Sequence, residues 1–178
     1  MMTYRFLPWP FVPRAAALLA VAALFAGCAS KPPAPPPPPP PVQMSLSVHL
    51  AADGNPDGDG RGSPVVVRVY QLRTDDAYKN LDMDALYYRD KEALAADLVS
   101  RDEWTLRPGE THANQWLVAP EVRVLAVVGA LRSYRNVPWR VSVAVPPATN
   151  PASAVRSTAV EIARDGVHLG DGRPDQSR

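Results

Sequence analysis

The sequence predicts an antiparallel β-sandwich with a short helical insertion after its second strand. Two observations carry this reading. Seven or eight short runs rich in Val, Leu, Trp and Tyr alternate apolar with polar residues and are separated by Gly, Pro, Asn and Asp, which is the period and punctuation of half-buried strands. No long helical pattern lies between them, so a parallel sheet wound from βαβ units is excluded. Only residues 74–99 change period.

Residues 1–27 carry Arg5 and Arg14, an apolar run from Ala15 to Phe25, and small residues before Cys28. This is the anatomy of a secretory signal peptide, and it is set aside from the fold. Cys28 is the single cysteine, so no internal disulfide forms and the domain must hold by packing. Its setting, Leu24-Phe25-Ala26-Gly27-Cys28-Ala29-Ser30, resembles the lipobox at which bacterial lipoproteins are acylated and then cleaved before the cysteine. The usual pattern has Leu three residues before the cysteine, where Phe25 stands here. The resemblance implies a covalent lipid on Cys28, with no other cofactor. One acyl chain binds a membrane marginally and two or more bind it stably; lipoproteins of this type carry three. Ala29, in place of the Asp that favours inner-membrane retention in enterobacteria, points to the periplasmic face of the outer membrane.

Residues 28–42 read as a tether. Pro32, Pro33 and the unbroken run from Pro35 to Pro41 extend as polyproline II at about 3.1 Å per residue, a semi-rigid stalk of roughly 40 Å. Such a tract is also a ligand for aromatic grooves, but its position between anchor and domain explains it as a spacer.

The folded domain is expected over residues 43–170. Met44, Leu46, Val48 and Leu50 alternate with polar neighbours and make the first strand, with His49 on the solvent side. Residues 51–63 are turn chemistry throughout, long for a hairpin connection, and long loops of this kind are often functional. Pro64 introduces a Val-rich second strand, residues 65–72, expected to pair antiparallel with the first and leave a projecting tip. Within 74–99, Thr74 or Asp75 caps one short helical piece containing Ala77, Tyr78 and Leu81. Asp82 caps a second with Ala85 and Leu86, and Leu94 and Leu98 lie one helical turn apart in a third.

Strands then resume at residues 101–106 and stop at Arg107-Pro108-Gly109-Glu110, with Pro and Gly placed for a type II turn. Further strands are expected at 112–119, at 121–131 (the most apolar run and hence central), and at 139–145. A polar loop over 148–157 precedes a closing hairpin of 158–163 and 166–169 around Arg164-Asp165-Gly166. The tail, 171–178, reads as disordered from Gly170 onward.

Composition excludes several function classes. The formal charge is +1, falling to about −1 without Arg5 and Arg14, which leaves no electrostatic footprint for nucleic acid. After residue 27 no apolar run approaches the roughly 20 residues a spanning helix needs. His49, His112 and His168 are far apart, and there is no Gly-x-Ser-x-Gly, no phosphate-cradling loop and no free nucleophilic cysteine. No catalytic or metal residue is therefore assigned, and a small-molecule substrate is not expected. One rival stands: Asp53-Gly54-Asn55-Pro56-Asp57-Gly58 matches the first half of a Ca²⁺ loop, although Pro64 replaces the acid of its twelfth position. That rival makes the chain a lipid-anchored ligand- or Ca²⁺-binding periplasmic module.

The segment Asn55-Pro56-Asp57-Gly58-Asp59-Gly60-Arg61-Gly62-Ser63-Pro64-Val65-Val66-Val67-Arg68-Val69-Tyr70-Gln71-Leu72 resembles the outer-membrane lipoprotein of the type VI secretion system. That family typically reads Asn-Pro, a polar loop, Pro, and a Val-rich strand ending Tyr-Gln-Leu. Tyr78, Leu86, Leu106-Arg107-Pro108-Gly109-Glu110, the strand from Val124 to Arg132 and Trp139-Arg140 extend the likeness over nearly the whole domain. It departs at Tyr78, where Phe is usual, and at Gly129-Ala130-Leu131-Arg132. The resemblance implies a transthyretin-like sandwich with added helices. It also implies a partner: the periplasmic C-terminal domain of the large inner-membrane component. By the same resemblance, the contact falls on the first loop, here Asp53, Gly54, Asn55, Pro56, Asp57, Gly58, Asp59, Gly60, Arg61, Gly62 and Ser63. Asp57, Asp59 and Arg61 are expected as a charged rim, with Asn55 and Pro56 shaping the loop.

Overall fold

The structure is a computed structural model and describes residues 42–145 and 156–170. The expected signal peptide, Cys28, the proline stretch to residue 41, the stretch 146–155 and the tail 171–178 lie outside the described residues.

Eight strands form two sheets that face each other, with three short helices after the second strand. β1 (Val42–Leu50), β4 (Thr111–Val118), β7 (Arg156–Ala163) and β8 (Gly166–Gly170) make one sheet in the order β4-β1-β7-β8. β2 (Val65–Leu72), β3 (Leu98–Leu106), β5 (Val124–Gly129) and β6 (Arg140–Ala144) make the other in the order β3-β2-β5-β6. The helices are α1 (Asp76–Asn80), α2 (Met83–Tyr88) and α3 (Asp90–Leu94), followed by a 3₁₀ turn at Ala95–Asp97. The expected sandwich with its helical insertion is therefore present.

Alternation places the core. Met44, Leu46, Val48 and Leu50 point inward from β1 and meet Val65, Val67 and Val69 of β2, Leu125 and Val127 of β5, and Val160 and Ile162 of β7. The second sheet is also covered on its outer face, where Tyr70, Leu72, Val124, Ala126 and Val128 pack against Tyr78, Met83, Leu86 and Leu94 of the insertion. β5 is accordingly buried at every position, as its unbroken apolar run required.

Pairing corrects three local expectations. β1 and β2 do not pair with each other: β1 lies between β4 and β7, and β2 between β3 and β5. Both inner strands already have two partners, so residues 51–64 cross between sheets rather than cap a hairpin. The β1–β7 pair is parallel; β6 ends and β7 begins at the same end of the sandwich as Val42, so β7 must run in the direction of β1. Leu98 starts β3 instead of extending a helix, because its partner is Leu72 at the end of β2. Smaller shifts also appear: Val42 belongs to β1, Arg156 to β7, and Gly170 pairs with Ala159 in β8.

Two arginines of the second sheet hold the insertion. Arg68 Nη1 donates to the Leu86 and Tyr87 carbonyls at 2.9 and 2.6 Å, closing α2. Arg140 donates to the carbonyls of Tyr78, Lys79 and Leu81 at 2.6, 2.6 and 2.7 Å, closing α1. Helix C-termini leave carbonyls unsatisfied and carry partial negative charge, so a guanidinium is their natural partner. At the other end of α2, Asp82 accepts from Ala85 N at 2.8 Å, the cap expected from the sequence. Asp75 precedes α1 without a side-chain cap bond.

Candidate partner-binding loop

The strands define two ends of the sandwich. Val42 begins β1 at one end, and Leu50 delivers the chain to residues 51–64 at the other. At this loop end the β3–β4 turn docks on β1, through Gly109 N to Leu50 O at 2.7 Å and Leu50 N to Glu110 O at 2.9 Å. Gly109 has φ +81° and Glu110 N bonds Arg107 O, the type II turn read from Pro108-Gly109.

The base of the loop is internal structure. Gly54, Asn55 and Ser63 are buried. Asn55 adopts a left-handed φ of +49°, a conformation its short polar side chain tolerates better than most. Its Nδ2 donates to Pro64 O at 2.8 Å and its Oδ1 accepts from Arg132 N at 2.8 Å. Gly54 and Gly62 sit where no Cβ fits: one on Gly54 would stand 2.6 Å from Ile162 O, and one on Gly62 2.2 Å from Ala52 O.

The tip is a closed turn. Asp57 N donates to Arg61 O at 2.8 Å, and Asp57 Oδ1 accepts from the backbone N of Asp59 and of Arg61, each at 2.9 Å. The bond from Arg61 N, joined by that from Asp59 N and outweighing modest desolvation, holds the Asp57 carboxyl below the usual aspartate range. The Arg61 guanidinium pairs with Asp57 at 3.4 Å and also with Asp59. Arg164, from the β7–β8 turn, pairs with Asp53 at 3.2 Å and donates to Gly60 O at 3.0 Å.

Of the residues assigned to the loop, Asp53, Gly58, Asp59 and Arg61 are exposed, and Pro56, Asp57, Gly60 and Gly62 are half-buried. The buried Gly54, Asn55 and Ser63 are scaffold, and only the tip of the loop is open to solvent. Asp57, Asp59 and Arg61 do cluster, but around one another. Sequence reasoning missed Arg132 and Arg164, two positions outside the loop that hold it. Both lie far away in sequence, and no local pattern marks them.

The calcium rival asks Asp53, Asn55 and Asp57 to turn oxygens toward one point. Instead Asp53 goes to Arg164, Asn55 to Arg132 and Pro64, and Asp57 to the backbone of its own turn. The histidines do not converge either. His49 Nδ1 lies 2.9 Å from Thr111 Oγ1, the His112 ring rests 4.3 Å from that of Trp104, and His168 Nε2 lies 3.1 Å from Asp165. Among the described residues no three His, Cys, Asp or Glu side chains gather as a metal site, and no helix is long and apolar enough to cross a membrane.

Comparison with known proteins agrees with this architecture. No curated protein sequence matches the chain significantly. The T6SS lipoprotein TssJ1 from Pseudomonas aeruginosa is 28% identical over 76% of this chain and 99% of its own, with a TM-score of 0.68. Serratia marcescens Lip, a membrane-bound component of the type VI secretion system, shares the fold at 21% identity, covering 76% of this chain and 99% of that one, also with a TM-score of 0.68. A chain in a structure described as the TssM C-terminal domain (869–1107) from EAEC shares it at 23% identity over 71% of this chain and 98% of that one, with a TM-score of 0.58. The profile of the type VI secretion lipoproteins (SciN, VasD, EvfM, TssJ) matches residues 42–165, which takes in β1 to β7, the helical insertion and the crossing loop. By that match this chain belongs to the type VI secretion lipoprotein family.

Proposed function

We propose that this chain is a non-catalytic anchor, acylated on Cys28 at the periplasmic face of the outer membrane, which holds the periplasmic domain of the inner-membrane secretion component. The observation that carries the reading is the polarity of β1. Val42, where the chain arrives from Cys28 and the proline run, and the loop after Leu50 lie at opposite ends of one nine-residue strand, about 30 Å apart. Lipid and partner can thus pull from opposite ends of a cross-braced sandwich, so load passes along a strand hydrogen-bonded on both sides.

The comparisons add support. Chains of this fold occur in a structure described as the TssM C-terminal domain and in one described as a type VI membrane complex. Small contacts made by several copies around a complex gain avidity through effective concentration.

The test is calorimetric titration of the inner-membrane partner's periplasmic domain into this protein and into its Gly58→Trp variant. A Cβ at Gly58 meets nothing within 4 Å, so a large side chain there obstructs the tip without straining the fold. Affinity lowered tenfold or more in a folded variant places the contact on the tip. Unchanged affinity moves the contact to another face, and absence of binding by the unaltered protein removes the tether altogether. The lipid is tested separately: Cys28→Ser abolishes incorporation of labelled palmitate and releases the protein from the membrane fraction.

A further inference from the structure

The loop end of the sandwich sorts its charges unevenly. Five of its carboxylates are engaged at home: Asp53 with Arg164, Asp57 and Asp59 with Arg61, Asp165 with His168, and Glu110 with Arg107 N at 2.8 Å. Three exposed arginines of the same end, Arg107, Arg132 and Arg135, reach no carboxylate at ion-pair distance among the described residues.

Arg132 and Arg135 stand on the β5–β6 connection, which is pinned on several sides. Ala130 N donates to Val66 O at 2.9 Å, Leu131 is buried, Asn136 N donates to Ser133 O at 2.9 Å, and Asn55 holds Arg132 N. Tyr134 packs against both apolar clusters, while its hydroxyl accepts from Arg135 Nε at 3.2 Å. The arginines are thus carried on ordered backbone, with the charge of Arg132 close enough to act on Asp57 of the loop tip and that of Arg135 facing Asp84 of α2.

We infer that the docking surface extends from the loop tip onto Arg132 and Arg135, with Arg107 at its margin, and that it takes an acidic protein surface presenting carboxylates. This rests on the tether reading and names the chemistry of its partner. A guanidinium is a planar fork that matches a carboxylate with two parallel hydrogen bonds. A pair of them carried on ordered backbone, and held in no ion pair among the described residues, loses little entropy on binding. A protein is favoured over a phospholipid surface because these arginines occupy the end opposite Val42, through which the chain leads back to Cys28.

The experiment measures binding of the partner's periplasmic domain by the full chain, acylated and held in detergent micelles, at 50 and 300 mM salt. Arg132→Ala with Arg135→Ala is expected to weaken binding on the order of tenfold and to flatten its salt dependence, whereas the double Lys variant keeps the salt dependence. Where the double Ala change lowers the unfolding midpoint, Arg107→Ala alone replaces it, with a smaller loss expected in the same direction. Unaltered affinity and salt dependence in the variants, with the unaltered chain binding, overturns this inference and leaves the tether standing. No binding by the unaltered chain overturns both. Dependence on the arginines confined to capture of phosphatidylglycerol vesicles overturns the acidic protein in favour of a lipid surface.

Discussion

The side chain of Asn55 holds the backbone of Arg132: Oδ1 accepts from Arg132 N at 2.8 Å, across 77 residues of sequence. One amide thereby joins the loop that leaves β1 to the connection that follows β5, and it does so from a left-handed backbone at 4% exposure. Two segments of the loop end are fixed relative to each other by a residue that does not itself reach the surface.

Asn55→Ala is expected to destabilise the domain by about 3 kcal/mol, since it strands Arg132 N and Pro64 O and puts a Cβ-bearing residue without local hydrogen bonds at positive φ. Asn55→Gly should recover the backbone part alone. Urea unfolding of both variants checks this, and equal losses would show that strain contributes nothing.

The loop glycines should divide by what surrounds them. Gly62→Ala drives a methyl toward Ala52 O, a backbone atom that cannot step aside, and should cost roughly 2 kcal/mol or more. Gly58→Ala enters open space and should lie within about 0.5 kcal/mol of the unaltered protein. Thermal unfolding of the pair separates a structured base from a permissive tip.

Arg140→Ala removes three charge-assisted bonds to the carbonyls that end α1 and should cost about 2–4 kcal/mol. Amide exchange should accelerate over 76–81 before the sheets are affected. Arg140→Lys should restore only a minor part, because a point-charge ammonium does not span three carbonyls as a fork does. Full rescue by Lys would reduce the role to charge alone.

Asp90 should make the insertion acid-sensitive. Desolvation raises its pKa, but the bond and charge of Arg101 at 2.7 Å, Lys91 N and the charge of Arg68 outweigh this, and the carboxyl sits below the usual aspartate range. A depressed folded pKa contributes stability that is full above the unfolded value of about 3.9 and is lost as pH falls through the folded one. Asp90→Asn should therefore cost about 2–3 kcal/mol at pH 7, by leaving Arg101 without a carboxylate while Arg68 keeps only Glu103, and should lose less further stability than the unaltered protein between pH 5 and 2. Parallel acid limbs in urea titrations of the two proteins would exclude Asp90 as the cause.

Much of the fold was legible because a two-residue period needs no knowledge of distant chain. The inward face of β1, the extent of β2 and the cap at Asp82 are all read from the sequence, since their signals lie within a few residues. Leu98 was misplaced because Leu94 one turn earlier satisfies a helical pattern equally well. Only Leu72, far upstream, decides for strand.

By itself the sequence determined which residues alternate, where the turns fall, that the only thiol precedes the domain, and that the 51–63 loop is too long to be a plain hairpin. Tertiary structure decided which strands are neighbours. It set β1 and β2 in different sheets and ran β7 parallel to β1. It also buried Asn55 under the loop and brought Arg132 and Arg164 to the loop from 77 and more residues away. The physical reason is range. Periodicity records which side of a strand meets apolar surroundings, whereas partner choice follows from closing one core, in which every inward face must find another and every buried amide a bond.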